Sequence, residues 1–210
     1  MKTKPLLVAL VGGSGSGKTW LARKLHAALG RNAARLALDD FYRDQSHVPM
    51  AERGRINFDH PRAIDWELFE RVLRKCLAGD RVRVPIYDFK SHSRRVTTRL
   101  FRPRPIVLVD GLWLLHRLSL RQLFQESVFL KCGGETRLRR RLARDLLTRG
   151  RSAASIRQQF RRTVAPMHRR FVEPQLKWAH IILHRPPPIQ KVRGLAEGLR
   201  KRANMILSAP

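Results

Sequence analysis

Residues 6–19 read LLVALVGGSGSGKT, and this stretch decides the fold. Six consecutive apolar residues end at a pair of glycines, as in a strand that is covered on both faces. The residues that follow match G-x-x-x-x-G-K-[ST], a pattern whose backbone N–H groups can surround phosphate oxygens. Apolar residues then recur at helical spacing up to Leu29, and Gly30 is suited to end that helix. The pattern predicts a strand, a phosphate-binding loop and a helix, in that order.

This loop predicts a nucleoside triphosphate site. Lys18 would add a positive charge at the β/γ end of the phosphates, Thr19 would offer its hydroxyl to Mg²⁺, and the helix would point its positive end at the anion. A merely flexible Gly/Ser loop is the alternative, but it would not need a strand before it and a helix after it. The predicted nucleotide-binding residues are Gly12, Gly13, Ser14, Gly15, Ser16, Gly17, Lys18 and Thr19. The loop does not name a reaction, because ATPases, GTPases and kinases all use it.

Further strands and helices alternate along the chain. Short apolar runs predict strands over residues 34–38, 106–109, 128–130 and 181–183. Asp65 can cap a helix with one apolar stripe, residues 81–86 and 95–101 form a plausible hairpin, and residues 192–206 predict a last helix. We therefore predict an α/β fold with a doubly wound, parallel, five-stranded sheet of the P-loop NTPase type. The whole chain, residues 1–210, is predicted as one domain with a hairpin insert at about 81–101 and an Arg-rich helical lid at about 135–170.

The charge balance is strongly positive, with 44 Lys and Arg against 16 Asp and Glu, a net charge of +28. Such a field attracts polyanions but says nothing about the fold. The basic residues are spread along the chain and no RNA-binding motif accompanies them, so we expect at most weak, non-specific nucleic-acid binding. Hydrophobic residues make up 43% of the chain, which is enough for a core.

Cysteine usage and the absence of a long apolar segment predict a cytoplasmic protein with no membrane contact. Cys76 and Cys132 are far apart and belong to no metal-binding pattern, which favours a reducing compartment. The apolar run near the N-terminus is too short for a transmembrane helix. It is followed by the glycine-rich loop where a signal peptide would have its cleavage site, so a buried first strand is the better interpretation.

Two acidic elements follow predicted strands. Asp110 ends the strand over residues 106–109, at the position of a magnesium-supporting carboxylate, with a simple turn residue as the alternative. Asp39-Asp40-Phe41-Tyr42 closes the second strand at the same edge of the sheet as the phosphate loop. A carboxylate there could take a proton from an acceptor hydroxyl that attacks a γ-phosphate. On these residues alone an ordinary Asx turn is equally plausible.

The Arg-rich lid predicts a helix with two faces. At about 100° per residue, four arginines fall on one arc, opposite a stripe of Leu138, Leu142 and Leu146. We expect the leucine face to pack and the arginine face to present guanidinium groups to a transferring phosphoryl group. The four are Arg137, Arg140, Arg141 and Arg144. The arginines expected to be mere surface are Arg139, Arg140, Arg157, Arg161 and Arg162.

Several further segments follow the loop in a specific order. They are Phe58-Asp59-His60-Pro61, Pro85-Ile86-Tyr87-Asp88-Phe89, Ser91-His92-Ser93-Arg94, and Arg144-Asp145 with Arg149-Gly150-Arg151. Together with the phosphate loop and the Asp-Phe-Tyr element, this order closely resembles the uridine kinase (uridine–cytidine kinase) family of P-loop kinases. The resemblance runs from about residue 6 to about residue 183.

The resemblance implies a reaction and its machinery. Asp39 would be the general base for a nucleoside 5′-hydroxyl, and Lys18, Arg144 and Arg149 would balance the phosphate charge. Mg²⁺ would be held by Thr19 and Asp110, with Asp39 helping through water. ATP or GTP would be the phosphate donor.

The resemblance also assigns the acceptor side. Asp59 and Arg141 would hold the ribose hydroxyls, while Tyr87 and His92 would address the pyrimidine edge. A carboxylate suits a vicinal diol, and a phenol and an imidazole can read ring carbonyl and amino groups. The remaining substrate-binding residues on this assignment are Phe58 and Phe89, which pack beside the nucleoside, and Arg151 and Gln159. Taken singly, Tyr87 and Phe89 could be hairpin core and His92 a solvated loop residue.

The expected function is therefore phosphorylation of uridine or cytidine to UMP or CMP, a step of pyrimidine salvage, in what the resemblance suggests is a homo-oligomer. Three alternatives stay open: a related P-loop kinase of another ribosyl compound or a vitamin precursor, a nucleotide-dependent nucleic-acid-binding protein, and a non-catalytic nucleotide sensor. The chain departs from the family at Asp40, commonly a small hydroxyl residue, and at Asp110, commonly a glutamate. Residues 185–188 lack the usual glycine near the expected adenine contact, so the donor base stays open.

Overall fold

The computed structural model describes residues 4–149 and 152–208, with the side chains of residues 148 and 149 left out. Its strands are β1 (Leu6–Gly12), β2 (Ala33–Ala37), β3 (Val82–Asp88), β4 (Ser93–Phe101), β5 (Ile106–Gly111), β6 (Glu126–Leu130) and β7 (Ile181–Leu183). Its α-helices are α1 (Lys18–Leu29), α2 (Met50–Arg53), α3 (Trp66–Leu77), α4 (Leu118–Arg121), α5 (Gly134–Arg149), α6 (Ala153–Gln159), α7 (Ala165–Met167) and α8 (Ile189–Leu207). None of the helices within the described ranges is both long enough and apolar enough to cross a membrane.

The central sheet has five parallel strands in the order β2-β5-β1-β6-β7. β1 lies in the middle, paired with β5 from Leu6↔Ile106 and with β6 from Val8↔Glu126. Every residue of β1 is buried, which explains why its sequence is apolar throughout rather than alternating. The predicted five-stranded parallel sheet is confirmed.

Helices cover both faces of this sheet. On one face Leu6, Val8 and Leu10 pack with residues of α1 and α8, and on the other Leu7, Ala9 and Val11 pack with residues of α3. Asp65 begins α3 as predicted, because its Oδ1 accepts a hydrogen bond from the Leu68 backbone N–H at 3.1 Å. The doubly wound arrangement is confirmed.

The predicted hairpin is present as a separate antiparallel pair, β3 with β4. Arg94 at the start of β4 ties it to the body of the protein. Its Nη1 lies 3.1 Å from Asp65 Oδ2, and its Nε donates to the Tyr42 carbonyl at 2.7 Å. The hairpin is therefore anchored beside the segment that follows β2.

The lid is helical, as predicted, but its faces are reversed. In α5, Arg137 and Arg141 are only 4% and 5% exposed, whereas Leu146 is 46% exposed. The expectation that the leucine stripe packs was wrong. The reason is that α5 lies against the phosphate loop, whose carbonyl and hydroxyl groups can accept hydrogen bonds from guanidinium groups but gain nothing from leucine. After α6 the chain continues through π-helical turns at Phe160–Val164 and His168–Val172.

Candidate active site

An open cleft with about 620 Å³ of empty space lies at the carboxyl-terminal edge of the parallel sheet. This is the size of an ordinary small-molecule site, at the edge where such sheets bind ligands. The lining residues are Ser14, Lys18, Asp39, Tyr42, Phe58, Asp59, Tyr87, Phe89, His92, Leu112, Arg141, Arg144 and Gln159. The phosphate loop, the segment after β2, the hairpin and the lid therefore meet in one place.

The phosphate loop joins β1 to α1 in a tight turn. Gly15 has φ +81°, and a Cβ on this residue would stand 2.4 Å from the carbonyl oxygen of Arg137. Only glycine fits there, both for its backbone conformation and for the close approach of α5. Lys18, at the start of α1, is 8% exposed and lines the cleft. The loop thus stands where its lysine can meet a phosphate group in the cleft.

Arginines of α5 hold this loop from outside. Arg140 Nη1 donates to the Ser16 carbonyl at 3.0 Å, and Arg141 Nη1 donates to Ser14 Oγ at 2.9 Å. A tight loop leaves backbone carbonyls without ladder partners, and the guanidinium groups satisfy them. The expectation that Arg140 is mere surface was wrong for this reason. The other arginines expected at the surface, Arg139, Arg157, Arg161 and Arg162, are exposed.

Asp110 and Thr19 form a hydroxyl–carboxylate pair at the loop. Thr19 Oγ1 donates to Asp110 Oδ2 at 2.7 Å, and Arg35 Nε lies 3.3 Å from Asp110 Oδ1. Asp110 is 4% exposed, and this burial raises the pKa of its carboxyl, against the lowering effect of Lys18 and its other partners.

This donor set fits Mg²⁺, which prefers oxygen ligands and is commonly held by one or two carboxylates together with substrate phosphates. The residues present in the structure form no cluster of three or more His, Cys, Asp or Glu that could cage an ion by themselves. Thr19 and Asp110 would therefore share a bound Mg²⁺ with the phosphates of a nucleotide.

The two neighbouring aspartates after β2 have separate surroundings. Asp39 lines the cleft together with Lys18. Asp40 lies in a different pocket, 3.5 Å from Arg99 Nη2. Burial raises the pKa of Asp40, and the Arg99 charge opposes that rise. Of the two carboxylates, only Asp39 is placed to act on a molecule in the cleft.

Aromatic rings form one wall of the cleft. His92 stacks on Phe58 with ring centroids 4.6 Å apart and an interplanar angle of 11°, while Tyr87 lies 5.2 Å from both Tyr42 and Phe89. His92 has φ +51°, a strained backbone for a residue other than glycine, which is often kept at functional sites. The side chains assigned to the pyrimidine edge are thus brought together.

Tyr87 carries an unsatisfied group into this wall. The residue is 6% exposed, and its hydroxyl is buried without a hydrogen-bond partner among the residues that the structure describes. Burial raises the pKa of this phenol. A buried hydroxyl normally has a partner, so the Tyr87 hydroxyl is free to bond to a ligand in the cleft.

The remaining predicted residues of the acceptor side also meet. Arg141 Nη2 donates to Gln159 Oε1 at 2.7 Å, and Asp59 Oδ2 accepts a hydrogen bond from Thr163 Oγ1 at 3.3 Å. Arg144, whose side chain is 41% exposed, bonds to the fully buried Asp145 at 2.8 Å.

Two predicted residues cannot be placed, and two others were missed. The side chain of Arg149 and the whole of Arg151 lie outside the described residues. Tyr42 and Leu112 line the cleft but carried no assigned role. Tyr42 stood in the quoted Asp-Asp-Phe-Tyr element, and Leu112 follows Asp110-Gly111 at the end of β5, so position was the only available signal.

A phosphate loop between β1 and α1, a carboxylate at the end of β5 and an arginine lid over one cleft define a P-loop kinase. Residues 7–191 match the model of the phosphoribulokinase / uridine kinase family. The chain belongs to this family, and it is a phosphotransferase.

Known relatives agree. The chain is 39% identical over 183 residues to a uridine kinase of Chloroflexus aurantiacus, covering 87% of this chain and 88% of that protein. It is 37% identical over 184 residues to a uridine kinase of Streptococcus equi subsp. zooepidemicus, with the same coverage of 87% and 88%. The fold is similar to that of a putative fructose transport system kinase from Silicibacter, with a TM-score of 0.68, 22% identity, and 88% and 90% of the two chains covered.

Proposed function

We propose that this protein transfers the γ-phosphate of ATP or GTP to the 5′-hydroxyl of uridine or cytidine, giving UMP or CMP. One observation carries the proposal: Lys18 and Asp39 line the same cleft as the aromatic wall that holds the unpartnered Tyr87 hydroxyl. The cleft therefore combines phosphate chemistry, a carboxylate base and hydrogen-bonding groups for a flat ring.

Asp39 would accept the proton of the 5′-hydroxyl as the oxygen attacks the γ-phosphate. Lys18, Arg144 and Arg149 would balance the charge of the transferring group. Bound at Thr19 and Asp110, with Asp39 helping through water, Mg²⁺ would neutralise negative charge on the phosphates. The loop residues Gly12, Gly13, Ser14, Gly15, Ser16 and Gly17 would surround those phosphates with backbone N–H groups.

The acceptor would lie along the hairpin side of the cleft. Asp59 and Arg141, with Gln159 bonded to Arg141, would hold the ribose hydroxyls. Tyr87 and His92 would hydrogen-bond to the edge of the pyrimidine. The rings of Phe58 and Phe89 would pack against the nucleoside, and Arg151 is assigned to the same substrate.

The relatives support uridine as the acceptor, since those from Chloroflexus aurantiacus and Streptococcus equi are named uridine kinases. A related kinase of another ribosyl compound is the second candidate, because the family's description also names phosphoribulokinase. The aromatic wall argues against it, since a sugar phosphate offers no ring for Phe58 and His92 to stack on.

A competition experiment tests the assignment. Purified protein with Mg·ATP is given equal amounts of uridine, cytidine, adenosine, guanosine and ribulose 5-phosphate, and the phosphorylated products are separated by mass. We expect UMP and CMP to dominate. Purine monophosphates or a doubly phosphorylated sugar as main product would replace the assignment with the related-kinase alternative.

We further propose that residues 1–210 form one domain of a homo-oligomer that works in the cytoplasm, in pyrimidine salvage. The +28 charge would give weak, non-specific nucleic-acid binding rather than a dedicated nucleic-acid function.

A further inference from the structure

Arg137 and His168 stand behind the phosphate loop, and the proposed reaction uses neither. Arg137 is 4% exposed; its Nε donates to the Cys132 carbonyl at 3.2 Å, but its Nη1 has no acceptor among the described residues. His168 Nδ1 is likewise buried without a partner there. Both nitrogens lie within 3.0 Å of the position that a Cβ on Gly13 would occupy. Two unsatisfied polar groups thus share one spot against the loop.

A cavity with about 730 Å³ of empty space, open at its mouth, adjoins this pair. It shares no lining residue with the substrate cleft. Besides Arg137 and His168, its charged lining consists of the exposed Lys131, Arg169 and Glu173. Three cations therefore face one carboxylate.

The charge at Arg137 has no direct counterion in the described part of the chain. Glu173 is close enough to raise the pKa of Arg137, but it forms no ion pair with this guanidinium, and burial lowers the pKa overall. Arginine nevertheless stays protonated in proteins. Burial and the Arg137 charge lower the pKa of His168 to about 4, so its ring is neutral at pH 7. A buried, uncompensated cation is costly unless an anion or water joins it.

We propose that this cavity is a binding site for a small oxyanion of the phosphate class, held by the Arg137 guanidinium and the His168 imidazole. Guanidinium groups match tetrahedral oxyanions through charge-assisted hydrogen bonds. Lys131 and Arg169 at the rim would draw the anion in. Because the two sites share no lining residue, an anion here and a nucleotide in the cleft can be bound at the same time.

Calorimetry on the full chain tests this site. The phosphate loop is first saturated with Mg²⁺ and a non-hydrolysable ATP analogue, and inorganic phosphate is then titrated at constant ionic strength. Arg137→Gln should weaken phosphate binding at least tenfold, the effect of losing one charge-assisted hydrogen bond. Arg139→Gln is the matched control, because it removes the same charge from an exposed position on α5; it should change the affinity by less than about twofold.

Two further measurements keep the test decisive. If Arg137→Gln does not fold, the exposed pair Lys131→Gln and Arg169→Gln should together weaken binding by about three- to tenfold. Sulfate should replace phosphate, whereas acetate should bind far more weakly, because it lacks the tetrahedral oxygens. Phosphate binding that Lys18→Ala abolishes and Arg137→Gln keeps would belong to the phosphate loop and would overturn the proposal. So would the absence of saturable binding, or equal losses in Arg137→Gln and Arg139→Gln. No acceptor or turnover enters this test, so its outcome is independent of the proposed function.

Discussion

Two tyrosines in the cleft differ in a single respect. Tyr42 and Tyr87 are 7% and 6% exposed, and their ring centroids lie 5.2 Å apart. The Tyr42 hydroxyl donates to the Phe58 carbonyl at 3.1 Å, whereas the Tyr87 hydroxyl has no partner among the residues that the structure describes. Removing each hydroxyl by a change to phenylalanine should therefore have opposite consequences for stability and for function.

The magnitudes follow from those partners. An unpartnered buried hydroxyl costs about 1–3 kcal/mol, so Tyr87→Phe should leave the free energy of unfolding unchanged or raise it by about 1 kcal/mol. Tyr42→Phe removes a bond that is made and should lower that free energy by about 1 kcal/mol. If the Tyr87 hydroxyl bonds to the nucleoside, its loss should lower kcat/KM for uridine by about 1–3 kcal/mol, or roughly 5- to 150-fold.

Urea unfolding of the two variants, together with steady-state kinetics for uridine, cytidine and ATP, measures both effects. We expect the KM for ATP to stay unchanged in Tyr87→Phe, because the hydroxyl belongs to the acceptor side. If Tyr87→Phe loses as much stability as Tyr42→Phe, the hydroxyl has a partner inside the protein. If its kcat/KM for the nucleosides is unchanged, the hydroxyl does not meet the substrate, and the reasoning is refuted.

Three further changes test other parts of the site. Asp39→Asn should lower kcat by about 10²–10⁴-fold while calorimetry still shows nucleotide binding, and Asp40→Asn should keep most of the turnover; the reverse result would move the base to Asp40. Because the pKa of His168 is about 4 in the fold and 6.5 ordinarily, the unfolded chain binds its proton first, so stability should fall as the pH drops from 6.5 to 4. His168→Gln should flatten that decline in urea unfolding, and an unchanged slope would contradict the assigned pKa. Neutralising four exposed arginines should flatten the salt dependence of RNA binding by about one unit for each RNA phosphate that is no longer neutralised, and should leave turnover intact, whereas Arg144→Ala should do the opposite. The four are Arg139, Arg157, Arg161 and Arg162. Tight, sequence-selective RNA binding at moderate salt would contradict this division.

The parts of the fold that were predictable are those with a local cause. The apolar run before the phosphate loop, the helix stop at Gly30 and the cap at Asp65 each follow from neighbouring residues, and each is present in the structure. The acceptor side came instead from the order of its motifs, because the spacing of Tyr87 and His92 alone does not distinguish a binding wall from hairpin core.

The orientation of the lid could not be predicted locally. Helical periodicity gives α5 an arginine face and a leucine face, and the usual expectation is that the leucines are buried. Arg141 is buried instead because it bonds to Ser14 and Gln159, which are far away along the chain. Arg140 was misplaced for the same reason, since its acceptors are carbonyls of the phosphate loop. Partners that only the tertiary fold brings together decided both cases.

The position of the transferred phosphate tests the central claim most directly. Purified protein is incubated with Mg·ATP, and separately with Mg·GTP, and with uridine, cytidine or 5′-deoxyuridine, and the products are identified by ³¹P NMR. The account predicts 5′-monophosphates of uridine and cytidine, formed in step with the nucleoside diphosphate of at least one donor, and no product from 5′-deoxyuridine, which lacks the attacking hydroxyl. Absence of UMP and CMP with both donors, or phosphorylation of 5′-deoxyuridine at another position, would contradict it.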